Sequence, residues 1–227
     1  MEIVRLSPSH PRARFEEIAH LHAAEIHHGA LPLLGPRFLA RLYHEMSRAA
    51  RTGVWVAVES DATLGFLAGC TDIKAAYRSI FLTGGLPLAW LVVRRLLGRP
   101  SLLRKVFAML AYPFHRGAGD AGAGPPVPAR HAELLAVAVS REAQRRGVGR
   151  RLVSVFEEHL AAWGVAEGYW ATTNIAEEDS NRFYRSLGFK PCGTMRLHDL
   201  VLQRYHKALG ASSPDGSPAA EATETEP

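Results

Sequence analysis

The apolar positions of this chain change period several times, and each change marks an element. Ile3–Leu6 is a short apolar run that predicts a strand. From Pro11 to His28 the residues Phe15, Ile18, Ala19, Leu21 and Ile26 recur at helical spacing, with Pro11 suited to a first helical turn, and Gly29 and Pro32 stop this helix. A second helix begins at Pro36, carries Phe38, Leu39, Leu42, Tyr43 and Met46 on one face, and ends near Gly53. Val54–Glu59 and Leu64–Cys70 alternate as the two strands of a hairpin over Ser60–Thr63, and Gly65 and Gly69 weaken the second strand or mark a bulge.

The stretch 72–130 is different in kind. Ile80–Leu82 and Leu86–Val93 are apolar and run into the basic Arg94–Arg99, and 100–114 repeats the mixture. Two or three helices are predicted, stopped by Gly98-Arg99-Pro100 and by Pro113. The uncharged run Ser79–Val93 is too short to span a bilayer. The region reads as a helical insert packed on the domain or at a homodimer contact. A membrane surface reached through 86–114, or a cover over the active site, is the less favoured alternative. Arg116–Ala129 has the composition of a flexible linker, and 210–227, with no large apolar residue, predicts a disordered acidic tail. The expected organisation is one domain over 1–209, with insert and linker at about 73–130, and the tail beyond it.

The remainder is organised by Glu133–Leu152. Glu133–Val139 is short, apolar and β-branched at two positions, as in a buried strand, and from Arg150 onward the period is helical. Between them stands Gln144-Arg145-Arg146-Gly147-Val148-Gly149. A strand that runs through glycines into a helix aims main-chain N–H groups and the positive end of the helix dipole at one point, where an anion can sit. Gly147 and Gly149 would let a phosphate approach, and Arg145, Arg146, Arg150 and Arg151 add charge. A nucleotide P-loop would need Lys-Ser/Thr where Arg150–Arg151 stands; a dinucleotide fold would need glycine at Leu152, and its acidic residue after the following strand rather than at Glu167. The following elements are a helix Val148–Trp163, a strand Tyr169–Thr173, a helix Ser180–Leu187, and strands near Cys192–Leu197 and Leu200–Tyr205.

The hexapeptide at 144–149 resembles the Q/R-x-x-G-x-G/A acyl-CoA pyrophosphate loop of the GNAT superfamily of N-acetyltransferases. Asn181-Arg182-Phe183-Tyr184-Arg185-Ser186-Leu187-Gly188-Phe189 is similar to that family's second signature, in the same order and at the same spacing. The resemblance covers roughly Val54 to Tyr205. It implies an α/β (α+β) fold with a mixed, mostly antiparallel sheet, flanking helices and splayed central strands, to which this chain adds the helical insertion. It implies acetyl-CoA as acyl donor, with Val137, Ala138 and Val139 offering a strand edge to the pantetheine. Gln144, Arg145, Arg146, Gly147, Val148, Gly149 and Arg150 would hold the pyrophosphate. Asn174 and Asn181 would orient the cofactor and the splayed strand, although turn and capping roles suit them as well. Tyr184 would bind the cofactor and protonate the departing thiolate. The first helix pair would border an acceptor pocket through His27, His28, Leu31, Pro32 and Leu33, although His27 and His28 also read as solvated helix-end residues.

The reaction so implied is attack of a neutral amine on a thioester, which needs an oxyanion donor, a base and an acid. Glu133, at the start of the central strand, is the candidate base or else an exposed strand-end carboxylate, and His131 is a weaker one. An amine of pKa about 8 is about a tenth neutral at pH 7, whereas a lysine near 10.4 is neutral to less than about one part in a thousand. A sugar amine or α-amine could therefore manage with a water relay. The acceptor is a small-molecule amine or a protein amine, and the sequence does not choose.

Composition narrows the partners. The tail contributes Asp215, Glu221, Glu224 and Glu226 and no basic residue; without those four the balance is 27 basic against 18 acidic residues, which suits a polyanion such as CoA. Neither an aromatic-plus-basic RNA signature nor a zinc spacing is present, so nucleic acid is disfavoured and no metal is expected. Cys70 and Cys192 form no C-x-x-C, and the first ten residues lack the apolar core of a signal peptide, so a cytoplasmic setting is expected. The rival to an enzyme is a non-catalytic CoA-binding or interaction module.

Overall fold

The computed structural model describes residues 1–27, 31–98, 128, 130–197 and 200–209. In chain order its elements are β1 (Glu2–Arg5), α1 (Arg12–Glu25), α2 (Leu31–Leu34), α3 (Pro36–Arg48), β2 (Thr52–Glu59), β3 (Ala62–Cys70) and α4 (Ile73–Gly98). Then follow β4 (Ala132–Val139), a 3-10 turn at Arg141–Ala143, α5 (Val148–Ala162), β5 (Tyr169–Asn174), α6 (Glu178–Ser186), β6 (Lys190–Leu197) and β7 (Leu200–Lys207). The strands form one sheet in the order β1-β2-β3-β4-β5-β7-β6, in which β4 and β5 are parallel and the other neighbours antiparallel. This is the mixed, mostly antiparallel α/β sheet the motifs imply.

Both faces of the sheet are covered, which is why β2, β3 and β4 are almost continuously apolar. On one face α5 lays Leu152, Val153, Phe156 and Leu160 against Trp55, Leu67, Leu134, Tyr169 and Ala171. On the other, Phe15, Ile18 and Ala19 of α1 and Leu39, Tyr43 and Met46 of α3 meet Val54, Val56, Phe66 and Ala68. α4 lies outside α3, with Leu88 packed on Leu34 and Phe38.

Several boundaries move from the sequence reading. α1 stops at Glu25 instead of reaching His28, because Ile26 is extended (φ −111°). α3 stops at Arg48, Ala49 being extended, and the break after α1 contains the extra turn α2. The β2–β3 turn is two residues rather than four: Ala62 and Thr63 already pair with Glu59 and Val58, and Ser60 and Asp61 take positive φ, as a right-twisted hairpin requires. The extra residue in β3 is Leu64, beside Gly65.

The apolar runs of the first part of the insert form one helix, α4, which ends at Gly98, where the sequence predicts a stop, and passes through Gly84, Gly85 and Pro87 without ending. Gly84 packs on the Glu45 side chain and Leu88 on α2–α3, so tertiary contacts override the local breakers. The second part of the insert, the linker except Pro128, and the tail at 210–227 lie outside the described residues.

The Phe156 ring is fully buried between Trp55 (centroids 5.3 Å apart) and Tyr169 (5.5 Å). Phe156→Ala is expected to destabilise the fold by about 3–5 kcal/mol, read as a lower urea midpoint at unchanged slope.

Candidate active site

β4 has strand neighbours on both sides only at its beginning. Ala132, Glu133 and Leu134 pair with Tyr169, Trp170 and Ala171; beyond them β4 continues against β3 and β5 continues against β7, but not against each other. At the parting point β4 carries an extra residue, since Ala68 faces Ala136 while Gly69 faces Leu134, leaving Leu135 unopposed. A bulge bends its strand and increases the local twist, which turns the end of β4 away from β5. The sheet is forked, and Val137, Ala138 and Val139, held by β3 on one side, border the gap on the other.

The loop Gln144–Gly147 closes the wide end of this fork. Arg145 and Gly147 have φ of +61° and +79°, and α5 starts with its first turn of N–H groups uncapped by any side chain. The first i→i−4 bond of the helix runs from Arg151 N to Gly147 O, so the amides before it lack intrahelical partners. Gln144 Nε2 donates to the Val139 carbonyl at 3.1 Å and ties the loop to the end of β4. Arg146 Nη2 sits 2.6 Å from Glu59 Oε2, and this guanidinium holds the Glu59 carboxyl below the usual carboxylate range. Arg150 Nη2 donates to the Ser186 carbonyl at 3.2 Å. Around Gly147 there is open space, as an approaching ligand requires. Gly149 differs from expectation: it is buried, and a Cβ there would lie 3.0 Å from the Phe183 ring, so its missing side chain lets α5 and α6 pack.

Two sheet faces meet at the fork. Directly opposed residues share a face, so Glu133, Trp170 and His206 lie on one side and Leu134, Ala171 and Tyr205 on the other. Glu133 is buried rather than an exposed strand end: its Oε1 accepts from Thr172 Oγ1 at 3.1 Å and its Oε2 lies 3.3 Å from His131 Nε2. The other ring nitrogen of His131 lies 2.7 Å from the Pro128 carbonyl. Tyr184 comes from α6 on the opposite face, stacked on Tyr205 (5.5 Å) and edge-on to Phe189 (5.2 Å). Burial, with the Glu133 carboxylate as a second cause, pushes the Tyr184 hydroxyl above its ordinary pKa. Glu133 and Tyr184 thus come from opposite faces of the sheet, near the point where β4 and β5 part.

Asn181 has its amide fully engaged within the chain. Nδ2 donates to the carbonyls of Asn174 (3.0 Å), Ile175 (3.3 Å) and Glu177 (2.7 Å), and Oδ1 accepts from the Tyr205 hydroxyl at 2.8 Å. Asn174 Oδ1 accepts from Ala176 N at 3.0 Å. The two asparagines thus shape the end of β5.

On the helix side, His27 is exposed past the end of α1, and His28 lies outside the described residues. Leu31 packs against the cluster that contains Leu135 and Ala136, whereas Leu33 joins only the cluster under α4. Leu31 thus packs on both the α1–α3 core and the cluster under α4, and Leu33 on the latter.

Two residues of the site escape sequence reasoning. Thr172 bonds Glu133, and Arg204 stands across from Thr172 on the same sheet face, 4% exposed, with Nε unpartnered among the described residues. Both follow from strand register, which alternation along one strand does not supply.

Residues 104–189 match the model of the acetyltransferase (GNAT) family. The ribosomal-protein-alanine N-acetyltransferase of Brucella melitensis superposes over 92% of this chain and 100% of its own, with a TM-score of 0.56 at 16% identity. The ribosomal-protein-S18-alanine N-acetyltransferase of Escherichia coli gives 94% and 98%, 0.53 and 12%. Ard1 of Thermoplasma volcanium gives 92% and 97%, 0.52 and 13%. No curated protein matches the sequence significantly.

Asn181→Ala removes the side-chain donor to three carbonyls, of which those of Asn174 and Glu177 keep main-chain donors, and takes the acceptor from the Tyr205 hydroxyl. It is expected to cost about 1–3 kcal/mol in urea unfolding and to raise amide hydrogen exchange first at 174–177.

Proposed function

We propose that this chain is a GNAT acetyltransferase, a reading supported by the match over 104–189 and by the fold, and that it transfers an acetyl group from acetyl-CoA to a primary amine by direct attack. The observation that carries this reading is the fork after Leu134–Ala171 with a glycine-containing helix start at its wide end. A free strand edge beside unpartnered helix-start amides suits a ligand that is a chain of amides ending in a diphosphate.

Acetyl-CoA, when bound, supplies the activated acetyl group and a thiolate leaving group. Main-chain groups of Val137, Ala138 and Val139 hold its amides, and the amides of 145–150 hold the diphosphate with help from Arg145 and Arg150. One helix-start contact contributes only about 0.3–1 kcal/mol at an exposed site, so the grip is cooperative. Glu133 Oε2, with His131 beside it at 3.3 Å, takes the proton lost by the amine. The Tyr184 hydroxyl, kept protonated by burial, donates to the departing sulfur. Asn181 and Asn174 position β5, and Leu31 borders the acceptor together with His27. Arg204 gives the acceptor side a cation suited to an acidic group on the incoming amine.

Acetyl-CoA at a hundred times its Kd stabilises a protein by about 2.7 kcal/mol, and an increase in Tm of about 5–10 °C is expected. An unchanged Tm at millimolar acetyl-CoA overturns the assignment. Tyr184→Phe should lower kcat by about 100-fold while leaving acetyl-CoA affinity within about threefold, measured by thiol release and calorimetry. Equal turnover removes the hydroxyl from the mechanism.

A further inference from the structure

Leu82, Leu86, Trp90, Val93 and Leu97 follow one another at spacings of four, four, three and four residues, so they line one side of α4. All five are open to solvent, with exposures of 76%, 88%, 65%, 47% and 80%. The stripe is about 22 Å long at about 1.5 Å per residue. The helix cannot hide it by rotation, because the opposite side is committed. Ile73, Ala76 and Leu88 are buried, Gly84 abuts the Glu45 side chain, and Arg95 Nε donates to the Leu33 carbonyl at 3.0 Å. A contiguous apolar surface of this kind marks a site of interaction.

Charge identifies the occupant. α4 contains Lys74, Arg78, Arg94 and Arg95 and no acidic residue. At its C-terminal end Arg94 and Arg95 join Arg12, Arg37 and His20 around a cavity of about 570 Å³ with an apolar floor that includes Phe38. The acid in that lining, Glu16, is already paired with Arg12 at 2.9 Å. A second copy of the chain would bring the same basic rim against this one, like charge on like.

We infer that the outer face of α4 and the adjoining basic cavity dock the protein on an anionic phospholipid bilayer. The stripe enters the interfacial region, Trp90 sits near the headgroup level, and Arg37 and Arg94 meet lipid phosphates. The helix lies along the surface and does not cross it. Contrary to the sequence reading, Ile73–Leu97 is long and apolar enough to cross a membrane by length and composition, but Leu88, Gly84 and Arg95 commit its inner side to α2 and α3, which holds it along the surface. This attachment is independent of the acyl-transfer reading.

The test is flotation of the full chain with vesicles of phosphatidylcholine alone or with about 30% phosphatidylglycerol. Most of the protein should float with the anionic vesicles, and several-fold less with neutral ones or in about 0.5 M NaCl. Leu86→Glu combined with Trp90→Glu should lower the bound fraction about tenfold with Tm unchanged. Arg37→Gln combined with Arg94→Gln should abolish the preference for anionic vesicles. Absence of flotation by the unaltered chain overturns the proposal, as does undiminished flotation of the Leu86/Trp90 variant. A dimer that this variant dissolves, with no flotation of either protein, assigns the face to a second copy and overturns it too. A fall of several degrees in the variant's Tm without lipid shows that the face is covered within the folded chain, and it likewise overturns the proposal.

Discussion

The single unopposed residue in β4, Leu135, is the constraint on which the rest of this molecule depends. Up to Leu134 the sheet is continuous, with β4 bonded to β3 and β5 alike. One residue later the extra backbone unit turns β4, and its parallel ladder to β5 ends. Backbone groups freed in this way in a protein interior need other partners, because an unpaired buried amide costs about as much as a lost hydrogen bond. The fork therefore combines a structural irregularity with a demand for a ligand that carries amides of its own. Each half of the sheet is stabilised separately. β1 to β4 lie under α1, α3 and α5, and β5 is laddered to β7 over all of its residues from Tyr169 to Asn174.

Glu133 and Tyr184 come from opposite faces of the sheet. Here the carboxylate, packed under Thr172 and His131, contributes to the electrostatic environment of a hydroxyl that stacks on Tyr205 from the other side. Asn181 keeps that arrangement in place. It joins the start of α6 to the end of β5 through three carbonyls, and β7 through the Tyr205 hydroxyl.

Much of this is legible in the sequence, and what is not shares a physical cause. The apolar run Glu133–Val139 and the glycines of 144–149 locate the central strand and the helix start, because period and backbone freedom are local properties. The family signatures anticipate the fork. Register is not local, so Thr172 and Arg204 emerge only when β5 and β7 are seen side by side. Local reading also misses a packing role for Gly149, whose lack of a side chain makes room for Phe183. The stop at Gly98 is legible in the sequence, whereas the continuity of α4 through Gly84, Gly85 and Pro87 rests on the packing of Gly84 and Leu88. The two-residue turn at Ser60–Asp61 escapes local reading because both residues adopt positive φ without being glycine.

The ion pair between Arg146 and Glu59 joins the tip of the β2–β3 hairpin to the loop at the head of α5. Its presence means that one guanidinium of the cluster is neutralised at rest, and an incoming anion must compete with a carboxylate for it. A lone inorganic ion, offering few contacts, gains little from that exchange. Under the proposed function, a ligand anchored along the strand edge would make the exchange with its position already fixed, so the hairpin would favour long, tethered phosphates over stray ones.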